Sequence, residues 1–235
     1  MTRSYVIPDL HGRHDLLVAA LDVIATRAHG DPLTLITLGD YVDKGPHSRQ
    51  VIATISALQS DPPTGWRMIC LMGNHDWMMR EAVRKPETQE FWMARGGDIA
   101  LASYADMPDG GIPEAHVRWL EALAPMHVDR HRVFVHAGVD SGQPLDQQSE
   151  RTLLWKRYPD DDADGYGERH VVHGLDRFPD GPKLLRGRTN LDTMAWATGR
   201  LVIGVFENDR PGGPVDLIEV RGVPFAAPSS SSKAS

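Results

Sequence analysis

Short, unbroken apolar runs alternate along this chain with longer stretches in which apolar residues recur every three or four positions. Residues 4–7, 33–38, 67–72, 133–135 and 170–172 form brief runs rich in β-branched side chains, and each stops at a polar residue. Runs this short and continuously apolar read as strands buried on both faces. Residues 14–28 carry Leu16, Leu17, Ala20, Leu21, Ile24 and Ala25 at helical spacing. Val51, Ile52, Ile55 and Leu58 repeat that pattern after Gly45, with Ser48 as the expected N-cap. The order is βαβαβ, then a helical middle from 77 to about 124, then a strand-rich half with runs at 201–206 and 215–220. That order predicts an α/β protein. In open α/β sheets ligands gather beyond the carboxyl ends of strands, where the polar residues of this chain fall.

The length, 235 residues with 41% apolar, suits one domain over 1–225 with a core that needs no staples. The Ser-rich segment 226–235 is expected to be a disordered tail. The single cysteine, Cys70, lies in an apolar run and reads as a buried, inert thiol. No apolar stretch reaches membrane length, which gives the expectation of a cytoplasmic protein without a membrane partner. The net charge is −7 and the basic residues are scattered, so the sequence argues against nucleic acid as a partner. The acidic run at 160–164 reads as a solvated loop.

Candidate chemistry sits where the apolar runs end. Asp9-x-His11, Gly39-Asp40-Tyr41-Val42-Asp43, Gly73-Asn74-His75-Asp76 and His136 supply carboxylate, imidazole and amide groups. A mixed nitrogen and oxygen set suits Mn²⁺, Fe or Zn²⁺. In an extended segment Asp9 and His11 face the same side and can grip one ion. Asp40 can bridge two ions through its two oxygens, and Asn74 and His136 complete the shell of the second. Trp77, Met78 and Met79 read as packing a helix against the sheet.

Pro8-Asp9-Leu10-His11-Gly12, Gly39 to Gly45, Gly73-Asn74-His75-Asp76 and His136-Ala137-Gly138 resemble the phosphoprotein phosphatase family of calcineurin-like metallophosphoesterases, its small bacterial and phage members above all. Phe91-Trp92, Gly96-Gly97 and Leu153-Leu154-Trp155-Lys156-Arg157 extend the likeness. The resemblance implies a two-sheet β-sandwich flanked by helices. It implies two divalent ions, Mn²⁺ first and Fe or Zn²⁺ next, and hydrolysis of a phosphomonoester by a metal-bridging hydroxide. His75 would be the general acid, Asp43 its orienting carboxylate, and Lys44 and Arg157 the groups that neutralise the phosphate. The implied substrates are phosphoserine or phosphothreonine proteins, or small phosphoesters. Symmetrical dinucleoside polyphosphate hydrolysis or a broad phosphoesterase activity is the alternative, and a catalytically weakened pseudo-phosphatase binding module is the alternative of another class.

Three departures accompany the likeness. Lys44 stands where the family carries Arg, and Met72 where many protein-directed members carry Arg. Leu175 stands where similar sequences place the last histidine ligand of the second ion. Strand alternation would point His173 the same way as residue 175, making His173, or the neighbouring Asp176, a possible replacement. Without one, the second ion is expected to be held more weakly.

Overall fold

The computed structural model describes residues 2–107 and 111–225; the expected tail, 226–235, lies outside the described residues. The first half builds β1 (Arg3–Ile7), α1 (His14–Ala28), β2 (Leu33–Thr37), α2 (Ser48–Ser60) and β3 (Trp66–Cys70). The helical middle holds α3 (Asn74–Arg84), α4 (Gln89–Trp92), a π-helical turn at Met93–Gly97, α5 (Asp98–Ala102) and α6 (Glu114–Glu121). Beyond it lie β4 (Met126–Val128), β5 (Arg132–Val135), α7 (Glu150–Trp155), β6 (His170–His173), β7 (Lys183–Leu184), β8 (Arg188–Asn190), α8 (Ala195–Thr198), β9 (Arg200–Glu207) and β10 (Asp216–Arg221).

Two five-stranded mixed sheets result, in the orders β10-β9-β1-β2-β3 and β4-β5-β6-β8-β7. The apolar runs are continuous because their strands bury both faces. On β1, Val6 joins Ile36, Leu38, Phe134, Val172 and Phe206 in the core between the sheets. Its neighbours Tyr5 and Ile7 face outward, into the core that α1, α2 and α3 make with the first sheet. On β5, Phe134 points inward while Val133 and Val135 pack under α7 against Leu153. Met78 and Met79 are buried in the helix-facing core, as their place after Asn74 suggested.

One expectation fails locally. Ser48 is the first residue of α2 and not its cap. Its hydroxyl instead accepts the Asp43 N–H at 3.0 Å, tying the helix to the loop that succeeds β2. Cys70 is buried, and burial pushes its thiol up to about 11. Asp160 and Asp164 of the acidic run pair at the surface with Lys183 and Arg186. No described helix is long and apolar enough to cross a membrane.

Candidate active site

β1, β2 and β3 run parallel, as do β5, β6 and β8. Asp9, Asp40, Asn74, His136 and Asp192 lie just past the carboxyl ends of β1, β2, β3, β5 and β8. Backbone bonds knit the loops together: the Asp40 carbonyl accepts from Leu10 and His11, and the Gly174 N–H donates to the His136 carbonyl. Gly39 permits one close crossing, because its φ is +96° and a side chain there would meet the Gly73 nitrogen at 2.2 Å. His11, Asp40, Asp43, Lys44, Leu175 and Met194 all hold positive φ in these loops. Left-handed non-glycine residues cost free energy and persist where the surroundings dictate them.

Asp40 is the hub. Its Oδ2 lies 3.2 Å from His11 Nε2 and its Oδ1 3.5 Å from His136 Nε2. Two trios bring ligand atoms within 4.8 Å of one another: His11, Asp40 and His75, and Asp9, Asp40 and His136. Asp9 and His11 thus fall in different trios, because the chain is not extended there; it turns left-handed at His11. Burial alone would raise the Asp40 carboxyl, but His136, His75, His11 and Lys44 outweigh it and hold it far below the ordinary range. Asp9 is raised by burial and by the charges of Asp192 and Asp40. Burial lowers His11 and His136, which favours neutral rings able to ligate.

These residues fit a divalent cation. Asn74 Oδ1 and His136 Nε2 are buried with no hydrogen-bond partner, and orphaned acceptors of this kind call for a ligand. The Lys44 ammonium lies 2.6 Å from His11 Nε2; burial lowers its pKa, and the Asp40 carboxylate opposes that shift. His11 Nδ1 is held by the Val42 carbonyl at 2.8 Å and His136 Nδ1 by the Leu38 carbonyl at 3.1 Å. Each ring therefore turns its Nε2 inward, the arrangement a ligating imidazole needs.

His75 is the second residue of α3 and lines the cavity. Its N–H donates to Asp40 Oδ1, and its Nδ1 lies 2.6 Å from Asp43 Oδ2. The buried Trp92 indole donates to both Asp43 oxygens, at 2.9 and 3.1 Å. Gly96 and Gly97 let the π-helical turn approach: a side chain at Gly97 would meet the Trp92 ring at 2.6 Å. Lys44, Asn74, His75, Arg95, Arg157 and Arg177 line the cavity above, whose volume is about 500 Å³.

The region of Leu175 departs from the strand-based expectation. β6 ends at His173, and the chain turns left-handed at Leu175 with φ 61°. Residues 173 and 175 therefore do not share a strand face. His173 Nδ1 donates to the Gly174 carbonyl at 3.0 Å, and its Nε2 accepts from Arg188 at 3.1 Å. With both nitrogens committed, His173 is no substitute ligand. Asp176 pairs with Arg157 at 3.2 Å. Leu175 is buried, and its N–H points at the Asp9 carboxylate, 3.3 Å from Oδ2.

Three participants carried no assigned role in the sequence. Asp76, fully buried, accepts the N–H groups of Asp40, Tyr41 and Gly73. Trp92 positions Asp43. Asp192, pushed up to about 6 by burial and by the charge of Asp40, faces Lys44. Asp192 sits past a strand end like the other candidates. Its strand, Arg-Thr-Asn, lacks the apolar run that would have revealed it.

A family model described as calcineurin-like phosphoesterase matches residues 2–200. The chain is 28% identical over 95% of its length to the symmetrical bis(5'-nucleosyl)-tetraphosphatase of Delftia acidovorans, spanning 73% of that protein. It is 33% identical over 81% of its length to serine/threonine-protein phosphatase 2 of Escherichia coli, spanning 83% of that protein. A crystal structure provisionally assigned as a diadenosine tetraphosphatase superposes with a TM-score of 0.67 over 94% of each chain. At 22% identity that match speaks to the fold alone.

Proposed function

This chain belongs to the calcineurin-like phosphoesterases, and from that premise we propose that it hydrolyses phosphomonoesters, with phosphoserine and phosphothreonine proteins as the substrate class. The observation that carries the proposal is the His75–Asp43–Trp92 relay set against the Asp40 cluster in one cavity. Asp9, His11, Asp40, Asn74 and His136 would hold two divalent ions, Mn²⁺ being the best fit to the mixed donor set. When bound, such ions supply Lewis-acid polarisation of the phosphoryl oxygens and an activated water.

The protein's own groups do the rest. Lys44 places a positive charge over the non-bridging oxygens, and Arg157 adds a second from the rim. His75 gives its Nε2 proton to the leaving oxygen, which an alkoxide needs. Asp43 accepts from Nδ1–H, fixing the ring's orientation, and Trp92 fixes Asp43.

Symmetrical dinucleoside polyphosphates are the second reading, favoured by the likeness to the Delftia acidovorans tetraphosphatase. Mn²⁺ titrated into chelator-stripped protein should switch on p-nitrophenyl phosphate hydrolysis. A phosphothreonine peptide should then be turned over faster than diadenosine tetraphosphate. Preference for the dinucleotide would transfer the assignment to the second reading. No response to any divalent metal would overturn both and leave a binding module.

A further inference from the structure

Two roles meet on the Lys44 ammonium, and it can fill only one at a time. The first is the charge it offers to a phosphate in the catalytic cavity. The second is its hydrogen bond: Nζ lies 2.6 Å from His11 Nε2, and among the described residues Lys44 pairs with no carboxylate. The His11 Nδ1 lies 2.8 Å from the Val42 carbonyl, which can only accept, so Nδ1 carries the ring proton. Burial favours the neutral ring. Its Nε2 then presents a single lone pair, and Lys44 donates into it. A cation liganded by His11 needs that same lone pair.

The backbone at Lys44 is too well fixed to resolve the conflict by moving. Asp43 and Lys44 both hold positive φ, at 71° and 62°. The Gly45 N–H closes a tight turn onto the Asp43 carbonyl at 2.6 Å. Gly45 packs so closely on the loop after β1 that a side chain there would meet the His11 carbonyl oxygen at 2.1 Å. The four-carbon stem is what can move. Lys44 is half-buried and lines the cavity of about 500 Å³, so its ammonium has somewhere to go. The Trp196 ring, which lines the same cavity, has its centre 5.6 Å from Nζ and offers a face to the charge. Lysine suits both posts, being a compact point charge on a flexible stem.

We infer that Lys44 is an internal competitor for the cation position at His11: it holds the ligating lone pair until a divalent ion displaces it, and the displaced ammonium then serves the phosphate. Metal and phosphate binding are thereby ordered, because the phosphate-facing charge is free only once His11 has taken its ion. The exchange is balanced. One N–H···N hydrogen bond breaks, one bond from Nε2 to the ion forms, and the ammonium keeps its proton. The inference rests on the metal-centre reading above and deepens it.

Calorimetric titration of chelator-stripped protein with Mn²⁺ reads the competition without turnover. Lys44→Met keeps most of the stem and removes the donor. It should bind the ion at His11 about tenfold or more tighter than the native chain, the worth of one charged hydrogen bond. Arg177→Met is the control for charge alone. Arg177 lines the same cavity and its charge bears on Lys44, but it is exposed and screened, so its loss should shift that affinity by less than about threefold. No gain in Lys44→Met, or an equal gain in both variants, overturns the inference. The native chain gives a second readout that needs no substitution. In nuclear magnetic resonance spectra of chelator-stripped protein, the Lys44 ε-methylene should show a nuclear Overhauser contact with the His11 ring protons. Saturating Zn²⁺, which is diamagnetic, should abolish it. A contact that survives loading, or that is missing from the metal-free chain, overturns the inference. Failure of the catalytic reading looks different: a chain that shows the displacement but hydrolyses no phosphoester would refute that reading alone. An active, loaded chain that keeps the contact would refute this inference alone, and a native chain and Lys44→Met that both bind no divalent ion would refute the two together.

Discussion

Asp76 never faces the cavity, yet the geometry of Asp40 depends on it. Its two oxygens take the N–H groups of Asp40, Tyr41 and Gly73 at 2.7, 2.9 and 2.9 Å, within full burial. Burial and the neighbouring Asp40 charge raise its carboxyl, and the three donors oppose them. Asp76→Ala would leave those donors unpaired in the interior, at roughly 1–3 kcal/mol each before relaxation. Thermal unfolding should show a loss of about 3 kcal/mol or more, a fall of roughly 6–12 °C in a chain of this size. A change under about 2 °C would mean that water reaches these groups and that Asp76 is dispensable. His75 calls for a different readout. His75→Asn should cut turnover of alkyl phosphates by about 10²–10⁴-fold. It should cut p-nitrophenyl phosphate turnover far less, since that leaving group needs little protonation. Equal damage to both substrates would assign His75 to the ligand shell that its place beside His11 and Asp40 also allows.

Among the elements, β6 concentrates the buried histidines that the catalytic plan does not use. Burial, opposed by the Gly174 carbonyl and reinforced by Arg188, brings His173 down to about 3. Burial and Arg132 bring His170 to about 4. Between these values and the ordinary 6.5, the unfolded chain takes up protons that the fold refuses, so stability rises with pH across that window. The contribution is complete above 6.5 and is lost as pH falls towards 3, at up to about 1.4 kcal/mol per pH unit for each ring. Urea denaturation of metal-free protein at pH 6.5, 5.5 and 4.5 should therefore show a shallower acid loss in His173→Gln than in the native chain. Parallel curves would mean that His173 charges freely in the fold. The strand itself was legible, since Val171 and Val172 mark a run buried on both faces. The turn beyond it was not. Alternation assumes extended backbone, and the left-handed turns at His11 and Leu175 break it just where the chemistry begins. Glycine-flanked motifs singled out Asp9, Asp40, Asn74 and His136, which the fold sets past the ends of four strands, whereas Asp192 and Trp92 join them through tertiary packing that no local pattern announces.

At the scale of the whole molecule, six strand ends from two sheets converge on one centre, and five of them deliver a side chain that can bind a cation or bear on one. The sixth, after β6, delivers Leu175. A leucine in the left-handed region costs about 1–2 kcal/mol, whereas histidine, asparagine and aspartate visit that region more readily. Leu175 thus relieves no strain in the backbone, and its buried side chain offers nothing to the orphaned Asn74 Oδ1 and His136 Nε2 nearby in the site. The two halves of the centre should then differ in affinity. Calorimetric titration of chelator-stripped protein should resolve one Mn²⁺ bound tightly and a second bound about tenfold or more weaker, and Leu175→His should narrow that gap. The substitution keeps the N–H that faces Asp9, and the His11, Asp40 and His75 trio, which residue 175 does not join, serves as an internal control. Two equal ions in the native chain would mean that a water or an unassigned group completes the second shell, and that Leu175 is neutral. Two unequal ions that Leu175→His leaves unchanged would place the asymmetry elsewhere, with Asp192 and its charge beside Asp9 as the next residue to alter.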